Sequence, residues 1–171
     1  MENKTLKPFT QTQEAECLTA APQSKEEAAT FISASKQKKL TVCVRGSGYS
    51  YGDMILNKDN LVVFTKNLNR ILNYDKENGL ITVEPGVQLI EIFQKTLEDN
   101  WALMACPGGA AVTIGGAVSN NVHGKDTWNY GSFANQVVAF KILLASGEIR
   151  HIDKNEGPEI FKAVLGGMGL L

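Results

Sequence analysis

Two glycine-rich stretches constrain this chain more than any other feature of its sequence. They cover residues 45–53 (RGSGYSYGD) and 107–125 (PGGAAVTIGGAVSNNVHGK). The apolar, β-prone segment 40–44 leads directly into the first stretch, where missing side chains allow several backbone N–H groups to converge on one point. Because Arg45 adds a positive charge and two serines add hydroxyl donors, a phosphate or pyrophosphate is the expected ligand.

Two common phosphate-binding motifs do not fit these stretches. A Rossmann loop needs G-x-G-x-x-G at the start of a helix, but Gly52 comes one place too late. The predicted strand 61–64 also leaves no room for a crossover helix after the loop. A P-loop fails because Asp126 follows Gly124-Lys125. The alternative interpretation of the first stretch, taken alone, is a mobile surface turn.

The composition predicts one folded domain and excludes several partners. A chain of 171 residues with 43% hydrophobic and 20% charged residues can bury a core. Its formal net charge of -1 gives no electrostatic basis for binding nucleic acid. The N-terminus lacks the apolar core of a signal peptide, and no apolar run is long enough for a transmembrane segment.

The cysteines and histidines predict neither disulfides nor a metal site. Three cysteines without a C-x-x-C pair are typical of reduced thiols and a cytoplasmic location, which leaves peripheral membrane association of a longer protein open. The two histidines, His123 and His151, lack a neighbouring cluster of cysteines or carboxylates, so no metal is expected.

Periodicity and turn residues predict short strands interspersed with helices. Ser24 and Glu27 predict a capping box at the start of a helix, and Asn78-Gly79 predicts a hairpin turn. Pro158 is expected to begin the last helix. The remaining predicted elements are strands at 15–19, 40–44 and 61–64, hairpins at 71–74/80–84 and 137–144/149–152, and an amphipathic helix from Leu89 to about Asn100.

Several motifs occurring in one order identify a family resemblance. They are the first stretch, the Pro107-Gly108 turn, T-I-G-G at 113–116 and V-H-G-K at 122–125, and together they resemble the FAD-binding domain of the vanillyl-alcohol oxidase and p-cresol methylhydroxylase (PCMH) superfamily. Within it, S-Y-G-D, T-I-G-G-A, H-G-K, G-S-F-A-N and S-G-E-I-R-H are most similar to the decaprenylphosphoryl-β-D-ribose 2-oxidase family. The resemblance covers nearly the whole chain.

The resemblance implies an α+β fold, a two-lobed PCMH-type domain with FAD between the lobes. Lobe one would span about 1–100 and lobe two about 101–171, and the chain is expected to be truncated at its C-terminus, without the family's substrate domain. The cofactor-binding residues that the resemblance implies in the first stretch are Val44, Arg45, Gly46, Ser47, Gly48, Tyr49, Ser50, Tyr51, Gly52, Asp53 and Met54. Those in the second are Gly108, Thr113, Ile114, Gly115, Gly116, Asn120, Asn121, Val122 and His123.

Two residues are catalytic candidates on the same resemblance. His123 could hydrogen-bond flavin or a substrate hydroxyl, and Lys125 would border the substrate pocket; the alternatives are a structural histidine and a solvated cation. Members that tether flavin through the first loop commonly use a histidine where this chain has Tyr49. The FAD is therefore expected to be bound non-covalently.

The implied activity is oxidation of a CH–OH group of a sugar-like or lipid-linked substrate by hydride transfer to flavin N5. The fragment alone is expected to be inactive, because the substrate domain supplies much of the pocket. Two alternatives stay open: the FAD domain of a sugar-alcohol or aldonolactone oxidase, and a non-catalytic module that binds FAD or another nucleotide.

Overall fold

A computed structural model describes all 171 residues as eight strands and five α-helices. Single 3-10 turns lie at Asp53–Ile55, Leu97–Asp99 and Phe133–Gln136. Helices and strands are interspersed along the chain, and the sheets contain both parallel and antiparallel pairs, so this mixed helix and sheet content agrees with the predicted α+β class. The elements are β1 (Glu2–Leu6), β2 (Ala15–Ala20), α1 (Lys25–Gln37), β3 (Val42–Arg45), β4 (Leu61–Phe64), β5 (Ile71–Asp75), β6 (Leu80–Val83), α2 (Leu89–Thr96), α3 (Ile114–Ser119), α4 (Thr127–Tyr130), β7 (Ala139–Leu143), β8 (Ile149–Asp153) and α5 (Pro158–Val164).

The first sheet has four strands in the order β1-β2-β4-β3. Strand β1 pairs antiparallel with β2, whereas β4 pairs parallel with both of its neighbours. Strand β4 is also covered on both faces: Leu61 packs with Phe31 of α1, and Val62 packs with Leu6 and Cys17 on the other side. The loop between β3 and β4 contains no α-helix, as predicted.

The start of α1 follows the predicted capping box with one difference. The Glu27 N–H donates to Ser24 Oγ over 3.1 Å, as predicted. The Glu27 carboxylate, however, accepts a hydrogen bond from the Gln23 N–H over 2.7 Å instead of from the Ser24 N–H. The cap therefore extends one residue further back than the capping box predicts.

A second packing unit forms where α2 meets the second glycine-rich stretch. Its buried cluster contains Val87, Leu89 and Ile92 from the α2 region, together with Ala117 of α3 and Phe133. Backbone hydrogen bonds from Leu89 N–H to Val112 O and from Ile114 N–H to Val87 O join the two segments over 3.0 and 2.8 Å. This cluster takes residues from both sides of position 100, where the lobe boundary was placed; that boundary stays a prediction.

The hairpin β7–β8 and helix α5 form the last packing unit. Phe140 stacks on Phe161 of α5 with ring centroids 5.3 Å apart, over the buried side chains of Ile142 and Ile152. Pro158 is the first residue of α5, as predicted. None of the helices in the chain has the length and apolar character needed to cross a bilayer.

Three elements were not predicted from the sequence. Strand β1 reads ENKTL, in which only Leu6 is buried, so it lacks the alternation that identifies a strand. Helices α3 and α4 are too short for helical periodicity to appear, and α3 contains two glycines. Predicted strand 40–44 is also shifted: β3 begins at Val42 and includes Arg45, so the arginine belongs to the strand and not to the loop.

Candidate functional site

The first glycine-rich stretch presents a row of backbone N–H groups that the chain itself does not use. After Arg45 the chain runs through residues 46–52, here called the first loop, before the 3-10 turn at Asp53–Ile55. No N–H group of residues 46–52 donates to an acceptor in the chain. Consecutive backbone donors without acceptors form the kind of concave site that binds anions.

Two buried side-chain donors, one on the residue before the first loop and one within the loop, also lack partners. Arg45 Nη1 and Ser47 Oγ are shielded from solvent and make no hydrogen bond. The other guanidinium nitrogen, Arg45 Nη2, donates to the Lys7 carbonyl over 3.0 Å, and the group lies 5.7 Å from the centre of the Phe64 ring. Burial lowers the pKa of Arg45, which remains a cation at neutral pH. Since buried donors without acceptors cost free energy, these two atoms fit an anionic ligand.

Two glycines of the first loop are required by their surroundings. Gly48 has φ +81°, and a Cβ atom there would lie 2.5 Å from Arg45 Nη2. A Cβ atom on Gly46 would overlap Thr113 Oγ1, so the two glycine-rich stretches are in direct contact at this point. The first loop thus lies between the Arg45 guanidinium and the start of α3.

The other predicted residues of the first stretch lie on the rim of the loop. Tyr49 and Tyr51 are exposed, and their rings contact Phe9, with centroids 5.3 and 5.7 Å away. Val44, Asp53 and Met54 are also exposed, whereas Ser50 and Gly52 are half-buried. A ligand can therefore reach this rim from solvent.

The second stretch divides into a bonded part and an open part. Thr113 is buried and caps α3 by accepting the Gly116 N–H over 3.4 Å, while the Gly115 N–H donates to Pro85 O over 2.9 Å. With Ile114 bonded to Val87, the N–H groups of 114–116 are occupied within the chain. In contrast, the N–H groups of Gly108 and Gly109 have no acceptor, and Cβ atoms at either position would meet nothing within 4 Å. The backbone at 108–109 is open to a flat ligand.

The asparagines that follow α3 serve the local fold. The Asn120 amide donates to Gly116 O over 2.9 Å. Asn121 has φ +43°, and its Oδ1 accepts the Ala134 N–H over 2.8 Å. The Val122 carbonyl accepts the Phe133 N–H over 2.9 Å. These bonds fix the path of the chain into His123.

His123 and Lys125 are exposed, and their side chains make no hydrogen bond or ion pair. Gly124 between them packs on the Cys106 carbonyl, leaving no space for a side chain. This contact brings 123–125 next to the open turn that begins at Pro107. Burial raises the pKa of the Cys106 thiol, which disfavours its nucleophilic thiolate form. No group of three or more His, Cys, Asp or Glu side chains could hold a metal ion.

Sequence reasoning missed the N-terminal contacts of this region. Phe9 N–H donates to Ser50 O over 3.0 Å, and Thr10 Oγ1 donates to Tyr51 O over 2.7 Å. It also missed Thr65, whose buried Oγ1 has no partner and whose N–H donates to Arg45 O. Segment 7–10 lies far from the first loop in sequence and carries no motif, so only the lone aromatic Phe9 in a polar segment could have signalled it.

Comparison with known proteins identifies the family. A family model described as an FAD binding domain matches residues 18–153. Decaprenylphosphoryl-β-D-ribose oxidase of Mycolicibacterium smegmatis is 39% identical over 131 residues, covering 75% of this chain and 28% of that protein. L-gulonolactone oxidase of Bos taurus is 29% identical over 150 residues, covering 88% of this chain and 34% of that protein. D-arabinono-1,4-lactone oxidase of Candida glabrata is 28% identical over 156 residues, covering 88% of this chain and 30% of that protein.

A solved structure supports the same fold. The chain matches 6-hydroxy-D-nicotine oxidase from Arthrobacter nicotinovorans with a TM-score of 0.83 over 97% of this chain and 39% of that one, at 18% identity. The chain spans about a third of the length of the curated relatives it matches. These findings confirm the resemblance seen in the glycine motifs, and the chain belongs to the FAD-binding domain family.

Proposed function

We propose that this chain is the FAD-binding portion of a flavin-dependent oxidoreductase that oxidises a CH–OH group of a sugar-like substrate. The observation that carries the proposal is the unused row of N–H donors in residues 46–52, together with the unpartnered buried donors Arg45 Nη1 and Ser47 Oγ. Such a donor set suits a pyrophosphate, whose charged oxygens accept several hydrogen bonds at once. The family match supports FAD as the dinucleotide.

Each part of the site has a role in this proposal. The first loop holds the pyrophosphate, and Arg45 supplies positive charge from below it. The open backbone of Gly108 and Gly109 lets a flat ring approach closely, so that FAD lies between the two lobes. His123 and Lys125, both free of internal partners, are available to contact the ring or the substrate. The bound isoalloxazine would supply the electron acceptor for the oxidation.

The substrate is proposed to be a sugar carried on a lipid, on the strength of the relative that is 39% identical. The alternative is an aldonolactone or sugar alcohol, which the two lactone oxidases support. The test is anaerobic mixing of the FAD-loaded protein, as this chain and in its full-length form, with lipid-linked pentoses, aldonolactones and polyols. Bleaching of the flavin by the first class supports the proposal, and bleaching only by the others selects the alternative. A flavin that no CH–OH donor bleaches in the full-length form indicates a non-catalytic module.

FAD attachment is proposed to be non-covalent. Tyr49, at the position where a histidine tether is expected, stacks on Phe9, and a phenol lacks the nucleophilic ring nitrogen of imidazole. Burial also raises the pKa of the Cys43 thiol, as it does for Cys106, so neither cysteine is activated as a nucleophile. Acid precipitation should release all yellow colour into the supernatant. A flavin mass increment on the denatured polypeptide would refute non-covalent attachment.

A cytoplasmic location is the final part of the proposal. All three cysteines are free, as expected in a reducing compartment. Fractionation of the producing cells should recover the protein in the cytoplasmic fraction, or on the membrane in a form that high salt releases. Recovery from an extracellular fraction would contradict this location.

A further inference from the structure

The first loop has almost no bonds of its own to hold its shape. Among residues 46–51, only the carbonyl groups of Ser50 and Tyr51 accept hydrogen bonds, and none of the N–H groups donates one within the chain. Gly46 and Gly48 add backbone freedom. A loop of this kind samples many conformations unless something outside it restricts them.

Both hydrogen bonds that the loop does accept come from one segment near the N-terminus. Phe9 N–H bonds Ser50 O over 3.0 Å, and Thr10 Oγ1 bonds Tyr51 O over 2.7 Å. The Phe9 ring stacks on Tyr49 at 26° and meets Tyr51 nearly edge-on at 74°. Segment 7–10 therefore contacts residues 49–51, the C-terminal half of the first loop.

The same segment also supports the N-terminal half of the first loop, through Arg45. The Lys7 carbonyl accepts the bond from Arg45 Nη2, and that guanidinium lies directly under Gly48. The segment is in turn anchored by β1, which pairs with β2 along its full length and buries Leu6 against Cys17 and Val62. The N-terminal strand is thus connected to the first loop through contacts that leave the N–H groups of the loop free.

We propose that segment 7–10 is a clasp that pre-organises the first loop for FAD, with Phe9 and Thr10 as positioning residues. The proposal rests on the proposed function of the loop. Because a loop that is already ordered loses less conformational entropy when its ligand binds, the clasp strengthens FAD binding without touching the cofactor. Loss of one hydrogen bond or one aromatic contact of the clasp should weaken FAD affinity roughly three- to tenfold.

The test compares Thr10→Val and Phe9→Leu with two controls. Thr10→Ser keeps the hydroxyl donor and should retain wild-type affinity. Thr30→Val removes an equivalent hydroxyl bond to a backbone carbonyl, that of Glu26, on an exposed face of α1 away from the loop. FAD dissociation constants are measured by titration, and loop order without FAD is measured as the rate of chymotryptic cleavage after Tyr49 and Tyr51.

The clasp predicts weaker FAD binding and faster cleavage in Thr10→Val and Phe9→Leu, with both controls like the wild type. Wild-type affinity and wild-type cleavage rates in both clasp variants would overturn it. If the wild type binds no FAD, the proposed function fails, and the cleavage rates alone then decide whether the clasp orders the loop.

Discussion

At the residue scale, the candidate site depends on glycines, which have no side chain, and on buried polar side chains that lack a hydrogen-bond partner. Arg45 is the clearest case, because the sequence predicts that it binds an anion. The structure places it at the end of β3, where Nη2 donates to the Lys7 carbonyl and Nη1 is buried without a partner. It both supports the first loop and carries the charge beneath it. The distinction could not come from sequence, because it depends on which face of β3 the side chain occupies.

The two histidines allow a matched test at this scale. Both are exposed, but only His123 lies beside the open turn, whereas His151 is on β8 and 3.8 Å from Asp153. His123→Ala should weaken FAD binding and shift the absorption bands of bound flavin, because an imidazole near the ring changes its polar surroundings. His151→Ala should leave both unchanged. Since neither side chain is packed, unfolding free energies should change by less than about 0.5 kcal/mol. An unaltered flavin spectrum in His123→Ala would remove this residue from the site.

At the scale of elements, short segments are held in place by a few well-formed bonds. The hairpin β5–β6 is closed by Glu84, which accepts bonds from the Arg70 side chain over 2.7 Å and from the Arg70 N–H over 2.9 Å. Glu84 is followed by Pro85, against which Gly115 packs. The base of this hairpin therefore helps to position the start of α3.

The Glu84 pair should make stability depend on pH. The hydrogen bond from Arg70 holds the pKa of Glu84 below its ordinary value of 4.5, so its stabilisation is present above that value and is lost as the pH falls through the folded-state pKa. Glu84→Gln should lower the unfolding free energy by about 1 kcal/mol at pH 7, and this deficit should shrink in acid. Urea unfolding across pH measures it.

Glu148→Gln is the control for this prediction. Glu148 bonds Arg150 over the same 2.7 Å, but its side chain is 52% exposed, against 12% for Glu84. An exposed pair contributes little, so this variant should unfold like the wild type at every pH. Equal behaviour of the two variants would contradict the role of burial at Glu84.

An element could be predicted when neighbouring residues in the sequence determine it, and could not when it depends on contacts with distant residues. The strand 61–64, the two later hairpins and the helix at Pro158 are encoded locally by apolar runs, turn residues and proline, and they were located to within a few residues. Helix α3 depends on the Thr113 cap and on burial of Ala117 in a core assembled from distant residues. The clasp contacts of Phe9 are equally non-local. Sequence patterns therefore identified the loops of the candidate site but not the segments that contact and order them.

At the scale of the whole molecule, FAD should act as part of the fold. The first loop joins the four-stranded sheet to the second glycine-rich stretch at the contact between Gly46 and Thr113, so a ligand there stabilises both units. At a hundredfold excess over its dissociation constant, FAD should add about 2.7 kcal/mol, which corresponds to a rise in melting temperature of roughly 5–10 °C. Thermal melts with and without FAD check this. Identical midpoints at saturating FAD would count against a competent site.

The central claim is that the first loop recognises the pyrophosphate of FAD, and comparing FAD with riboflavin tests it most directly. Riboflavin has the same ring but no phosphate. The proteins to compare are the wild type, Gly48→Ala and Gly147→Ala; both glycines have positive φ, but a Cβ at Gly147 meets nothing, whereas one at Gly48 displaces Arg45.

Calorimetric titration should show that the wild type and Gly147→Ala bind FAD more tightly than riboflavin by on the order of a hundredfold, the worth of two charge-assisted hydrogen bonds. In Gly48→Ala this preference should largely disappear while riboflavin affinity stays the same. Equal affinities for FAD and riboflavin in the wild type, or an undiminished preference for FAD in Gly48→Ala, would contradict the claim.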